Sequence, residues 1–386
     1  MTSRATTADT DVVRGSVDFP AGFSACFSGS YRPEDVCFLL KPIPIDFTPV
    51  AEKERLIQSG KRHYSEMLSP ECLPSARYLE VFHQALAMTR DRMARALLDL
   101  AAIIAAERTG EITLVSLARA GTPVGVILKH TLEDVFARPT WHYSISIIRD
   151  RGIDQRALRF ILEDCHRDPA GLVFVDGWTG KGVIARELKT ALADFNARQG
   201  VTLDTRLYAL TDLAGVGVAP SDADYLIPSS IMGATMSGLV SRSILNDQIG
   251  PDDFHGCLYY EPFEPQDLSR WFVETLREAI RAQLDAGYQP VAQPVDSSAA
   301  RDRSARMLAD IRTRFGITNE NFIKPGIGEA TRVLLRRVPE RLILRDPDLP
   351  EVAHLVQLAT EKQVPCEVDP DSPYQAISLI KGLSDA

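Results

Sequence analysis

The chain has 386 residues, more than one hydrophobic core usually serves, so two or more domains are expected. Hydrophobic residues make up 45% and charged residues 25%, as in ordinary globular proteins, and a net charge of −9 argues against sequence-blind nucleic-acid binding by the whole surface. No apolar run approaches the ~20 residues of a membrane span and residues 1–15 lack the apolar centre of a signal peptide, so a cytoplasmic protein with no membrane partner is expected.

In chain order, residues 1–16 read as a mobile polar tail. Val36, Phe38 and Leu40 alternate as in an edge strand that closes at Lys41-Pro42. Segments 48–67 and 75–108 read as helices; in the second, Leu79, Phe82, Leu86, Met93, Leu97, Ala101 and Ile104 recur at helical spacing and Gly110 supplies a stop. The pattern then alternates: strand 112–117, helix 123–137, strand 142–148, helix 153–164, strand 172–175, helix 182–195, strand 205–210. Such alternation predicts an α/β domain with a parallel sheet covered by helices on both faces, and ligands bind such sheets at the carboxyl ends of the strands. Further on, 224–229 reads as a strand leaving the sheet and 233–245 as a helix whose Ser237, Gly238, Ser241 and Arg242 would line a pocket or permit close packing. The six cysteines show no C-x-x-C spacing, so reduced, structural thiols are expected and no metal site is.

Three loops fall at the carboxyl ends of these strands. The most informative follows LVFV: Asp176, then Gly177, Trp178, Thr179, Gly180, Lys181 and Gly182, opening onto a helix. Glycines let the backbone approach a ligand, and the free N–H groups of a helix start favour a phosphate. The spacing fits neither a Walker loop, which needs Ser or Thr after the Lys, nor a dinucleotide G-x-G-x-x-G turn. It resembles the T-G-[GK]-T loop of phosphoribosyltransferases, with one acid instead of two and Gly182 in place of Thr. Trp178 would stack on a ribose or a base. The turn Arg119-Ala120-Gly121-Thr122 ends the first strand of the alternating region, as a pyrophosphate loop or an ordinary turn with a solvated Arg. Arg149 and Arg151 form a hood over pyrophosphate or a charged surface turn.

The strings LARAGTPVG, HYSISIIRDRGID, VFVDGWTGKG, DYLIPS with SGLVSRSILN, and FHGCLYYE with DLSRWF together resemble the phosphoribosyltransferase-like StiP family over about Phe27 to Arg281. That family lies beside bacterial tellurium-resistance and stress genes, and many of its members bear a cysteine-protease label. The resemblance implies a type I phosphoribosyltransferase-like parallel sheet with an N-terminal helical extension. It also implies a transferase that ribosylates a base or base-like acceptor from phosphoribosyl diphosphate. Thr179 to Gly182 would then hold the 5-phosphate, Asp176 the ribose hydroxyls, and Arg119 with Ala120, Gly121 and Thr122 the pyrophosphate. Magnesium would be chelated by the substrate. The alternatives are a non-catalytic sensor of phosphoribosyl diphosphate or nucleotide, an RNA-binding regulator, and a cysteine hydrolase built on Cys257 with His255, which share a face if that segment is extended.

Residues 286–300 read as a linker. Residues 301–345 then hold 11 basic against 5 acidic side chains, the place to look for an anionic partner. A helix over 301–315, a helix starting within 324–332, strand 341–345, helix 350–361, strand VPCEV and helix 372–381 predict a small α-β-α domain. Its G-I-G-E-A-T-R resembles the pelota signature G-x-N-E-x-[TS]-K, with Gly328 in place of Asn. This implies RNA or nucleotide binding through Lys324, Gly326, Gly328, Glu329 and Arg332; a lid or a dimer surface is the alternative. A homo-oligomer is compatible with the sequence.

Overall fold

The computed structural model describes residues 27–382; the polar tail expected at 1–16 lies outside them. Strand β1 (Cys37–Leu39) and helices α1 (Val50–Gln58) and α2 (Ala76–Glu107) precede the alternating region. That region is β2 (Ile112–Ala118), α3 (Thr122–Asp134), β3 (Thr140–Ile148), α4 (Gln155–Arg159), β4 (Leu172–Thr179), α5 (Val183–Gln199) and β5 (Leu207–Asp212). The sheet runs β1-β3-β2-β4-β5, every pair parallel, with Gly152–Ile153 added antiparallel at the end of β3.

Alternation along β4 explains why both faces are covered. Val173 and Val175 pack into the cluster formed by α2 and α3, whereas Leu172 and Phe174 pack with Leu188, Leu192 and Phe195 of α5. In α2, 32 residues long, the expected stripe is buried from Phe82 to Ile104, and Ser75 caps its start by accepting from the Tyr78 N–H. Helix α6 (Ser269–Asp285) adds Phe272, Val273 and Leu276 to the same cluster.

The C-terminal half departs from expectation. Helix α7 begins inside the expected linker, at Ser297, and runs to Phe315. It is followed by β6 (Ile323–Pro325), α8 (Ile327–Arg336), β7 (Pro339–Leu344), α9 (Ala353–Glu361), β8 (Cys366–Val368) and β9 (Ala376–Ile380). The sheet order is β8-β7-β9-β6. The expected last helix, 372–381, is therefore strand β9: its five residues are buried between two antiparallel neighbours, and a short apolar run does not by itself distinguish helix from strand. The unit is a four-stranded mixed sheet rather than a plain α-β-α arrangement.

Two other expectations fail before that point. Segments 224–229 and 233–245 hold no strand or α-helix, only short 3-10 turns at Pro228–Ile231 and Ala234–Met236. Asp224 is instead spent on the C-terminal unit, accepting from the N–H groups of Ile327 at 3.0 Å and Gln375 at 2.9 Å. Leu213, just past β5, is buried among Met307, Ile311, Ile323 and Ile377, and Tyr374 donates to its carbonyl at 2.9 Å. These contacts seat the second sheet over the carboxyl ends of β4 and β5. Cys37, expected as a free thiol, is disulfide-bonded. Among the described residues no helix is long and apolar enough to cross a membrane.

Candidate functional site

Strand β4 continues through Asp176, Gly177 and Trp178 to Thr179, so the expected loop shrinks to Gly180-Lys181-Gly182. Gly182 takes φ +73°, a left-handed conformation that only glycine adopts without strain, and α5 starts at Val183 with no side chain capping its first N–H groups. Those groups face a cavity of about 330 Å3 between the two sheets.

The cavity is lined by Asp176, Trp178, Thr179, Gly180, Lys181, Gly182, Arg149, Lys324, Glu329 and Arg332, so ten sequence-nominated residues from both halves of the chain meet in one place. Tyr64, Arg336 and Arg337 complete its polar wall. Six cations thus face two carboxylates. Glu329 forms an ion pair with Arg332 at 2.9 Å; burial pushes its carboxyl up, but Arg332 and Lys324 outweigh that and hold it below its ordinary value. Burial raises Asp176 to about 6 against the pull of Arg332. One of its oxygens accepts from the Gly177 N–H at 2.8 Å. Burial, with Lys324 close by, lowers Lys181 to about 7, and its ammonium donates to the Glu320 carbonyl. Both groups change charge near neutrality, the range useful to an acid or base.

The other nominated residues stand elsewhere. Arg119 is 7% exposed and its guanidinium is occupied: Nη1 donates to the Val240 carbonyl at 2.8 Å and Nη2 pairs with Glu71. It does not line the cavity, so it stands apart from the glycine turn it was expected to face across a pyrophosphate. Gly121 caps α3 against the Val175 carbonyl, Thr122 bonds Ser144 at 2.8 Å inside the core, and Ala120 packs against the apolar cluster. Arg151 pairs with Glu66 at 2.8 Å and lines a separate surface cleft beside His255. Trp178 is not free to stack on a ligand from both faces. A Cβ on Gly328 would lie 2.7 Å from its ring, and the Arg332 guanidinium sits 4.4 Å from the ring centroid. That contact accounts for the missing pelota Asn: the indole occupies its place. Gly180 is likewise pressed against Pro325, whose carbonyl would be 2.6 Å from an added Cβ. Gly326 (φ +91°) packs on Leu213. Sequence reasoning missed Lys53 and Tyr64, which come from a segment read only as scaffold helix, and Glu71, which lies between the two expected helices; none carries a motif.

No described thiol is hydrogen-bonded to a histidine. Cys257 is fully buried, which pushes its thiol far above the usual range, while His255 directs Nδ1 to the Ser146 hydroxyl at 2.7 Å. Burial also raises Cys165, which stands beside Tyr143. Cys72 and Cys366 are exposed. Among the described residues no three His, Cys, Asp or Glu side chains stand together as metal ligands.

Residues 29–277 match the family model described as tellurite-like stress resistance cysteine protease StiP. The chain belongs to the StiP family. Residues 302–382 match the PELOTA RNA binding domain. A relative from Acinetobacter baylyi named cysteine protease StiP is 43% identical over 369 residues, covering 92% of this chain and 95% of that protein. Matched solved structures include ureidoglycine-glyoxylate aminotransferase from Bacillus subtilis, 12% identical over 92% of this chain and 89% of that one, with a TM-score of 0.25. An aromatic aminotransferase from Pyrococcus horikoshii is 11% identical over 74% of this chain and 76% of that one, with a TM-score of 0.20. Overlays this poor carry no chemistry. The type I phosphoribosyltransferase assignment is not upheld, and the fold stands as mixed α/β with a parallel sheet. The ribosyl-transfer function expected from the resemblance is corrected with it, because the family description and the named relative are of a cysteine protease, an enzyme of another class.

Proposed function

We propose that this StiP-family protein binds a phosphate-bearing nucleotide, best represented by the 5′-phosphorylated end of an RNA, in the cavity between its two sheets. The observation that carries the reading is the charge of that cavity. An uncapped helix start and six cations surround it with only two carboxylates, an excess that favours a multiply charged anion. The phosphate would lie on Gly180 to Gly182, with Lys181 and Lys324 beside it, and Asp176 would accept from a sugar hydroxyl. The pelota match over 302–382 supports RNA as the class of ligand, since α8 of that unit forms one wall.

Enzyme chemistry, the coarse sense of the family description, is assigned by this reading to Asp176 and Lys181 rather than to a thiol. They are the cavity groups that ionise near neutrality, at about 6 and about 7. Two carboxylates among six cations do not suit a protein-held divalent ion. Magnesium, where a phosphorylated ligand brings it, would be held by the ligand's oxygens.

The test is fluorescence anisotropy with one short RNA bearing either a 5′-phosphate or a 5′-hydroxyl. The phosphate should tighten binding about tenfold, and Lys181→Gln should remove most of that gain, the worth of one charge-assisted hydrogen bond. Equal affinity for the two RNAs would overturn the reading.

A further inference from the structure

Next to Tyr64, Arg336 and Arg337 of the cavity wall, and joined to them through Arg242 on the Tyr64 carbonyl and Glu54 on Arg337, stands a second group of cations. Five basic side chains, Lys53, Arg119, Arg242, Arg336 and Arg337, act on one another there with only Glu54 and Glu71 among them. Two of the five are paired: Arg119 with Glu71, and Arg337 with Glu54 at 2.9 Å. The remaining three are not. Arg242 donates through Nη2 to the carbonyls of Tyr64 and Met67 but leaves Nη1 buried without a partner. Neither Arg336 nor Lys53 makes a hydrogen bond or ion pair among the described residues. Tyr260, 5% exposed, also has an unpartnered buried hydroxyl, and it feels the charges of Glu71, Arg119, Arg336 and Arg242.

The three are half-buried, and half-buried cations without a carboxylate partner repel one another, a cost that a bound anion relieves. The strain shows in their titration. Burial lowers Arg336 to about 10 with Arg119 adding to it, and Lys53 to about 7 with Arg242 and Arg337 adding to it.

We propose that Lys53, Arg242 and Arg336 form a second anion subsite, so that the ligand of the cavity is a nucleotide unit with two separated phosphate groups, one on the Gly180–Gly182 turn and the other here. This rests on the reading of the cavity as a phosphate site and specifies its substrate class. The cavity volume of about 330 Å3 lies in the range that encloses one small organic ligand. Two sources share this chemistry, a free nucleoside 3′,5′-bisphosphate and the first residue of a 5′-phosphorylated RNA, whose second phosphate is the following diester.

The experiment is calorimetric titration of the full-length protein with the 5′-monophosphates of the four ribonucleosides, the matching 3′,5′-bisphosphates, and 5′-phosphorylated dinucleotides. At least one bisphosphate or dinucleotide should bind about tenfold or more tightly than its monophosphate. Arg336→Gln should erase that preference, lowering bisphosphate or dinucleotide affinity about tenfold more than monophosphate affinity, and Arg336→Lys should restore part of it. Should Arg336→Gln not fold, Lys53→Met makes the same comparison. Preference for the dinucleotide over the bisphosphate identifies an RNA end, and the reverse a free nucleotide. Bisphosphates and dinucleotides binding no better than monophosphates overturn the second subsite but leave the first. Failure of every probe to bind overturns both.

Discussion

Replacing Gly328 by Ala tests whether the two sheets are locked by the contact between Trp178 and α8. On an open helix surface this substitution stabilises, by up to ~1 kcal/mol, because Ala is the better helix former. Here the added Cβ would lie 2.7 Å from Cε2 and Cζ2 of Trp178 and 3.0 Å from Nε1. Ordinary carbon contacts are about 3.5–4.0 Å, so the helix or the indole must give by about 1 Å. The indole has little room, being 8% exposed and stacked under Arg332. Overpacking of this kind costs about 1–3 kcal/mol, and after the propensity gain a net loss of about 1–2 kcal/mol is expected. In thermal unfolding of a chain this long that is a fall of roughly 1–3 °C in Tm. Trp178→Ala on its own should cost more, about 3–5 kcal/mol, through the void it leaves. In the Trp178→Ala background, however, Gly328→Ala should become neutral or mildly stabilising, because nothing remains to clash. A double-mutant cycle by thermal or urea unfolding reads this coupling. The same effect of Gly328→Ala in both backgrounds, or a rise in Tm in the wild type, refutes the contact as the reason for glycine.

The shift of Asp176 to about 6 has a defined sign. The folded chain holds this proton to higher pH than the unfolded chain, whose carboxyl ionises near ~3.9, so its contribution to stability is full below about pH 4 and is lost as pH rises through about 6. Asp176→Asn should therefore raise stability at pH 7.5 by about 1–3 kcal/mol, the difference vanishing towards pH 4, while hydroxyl-dependent ligand binding weakens. Equal melting temperatures for the two proteins across pH 4–8 would contradict the burial of this group. Thiol reactivity gives a separate check. Alkylation followed by mass spectrometry should label the exposed Cys72 and Cys366 first and spare Cys257, which is buried and resists ionisation. Labelling of Cys257 at a comparable rate in the folded protein would reopen it as a nucleophile.

Much of the first sheet was legible because its signals are local. The alternation of apolar runs with helical periodicity, the caps, and the glycines after β4 each act within a few residues, and these features placed the glycine turn and the parallel strands nearly where they stand. Local signals misled where two structures share one pattern. The apolar run 376–380 suits a helix or a buried strand, and only the pairing of β9 with β7 and β6 settles it. They misled again at Arg119, whose place at the end of β2 was read correctly but whose guanidinium is taken by Glu71, 48 residues away.

Sequence alone determined that a glycine-rich turn with a lysine would open a helix at the carboxyl edge of a parallel sheet, since turn chemistry and periodicity are properties of neighbouring residues. Only the tertiary structure decided what that turn faces. Packing brings Trp178 against Gly328 and sets Arg336 in the cavity wall, where it feels the charge of Arg242. The charge states of Asp176 and Lys181 follow from how much water that packing excludes, a quantity set by the whole fold and by no single stretch of chain.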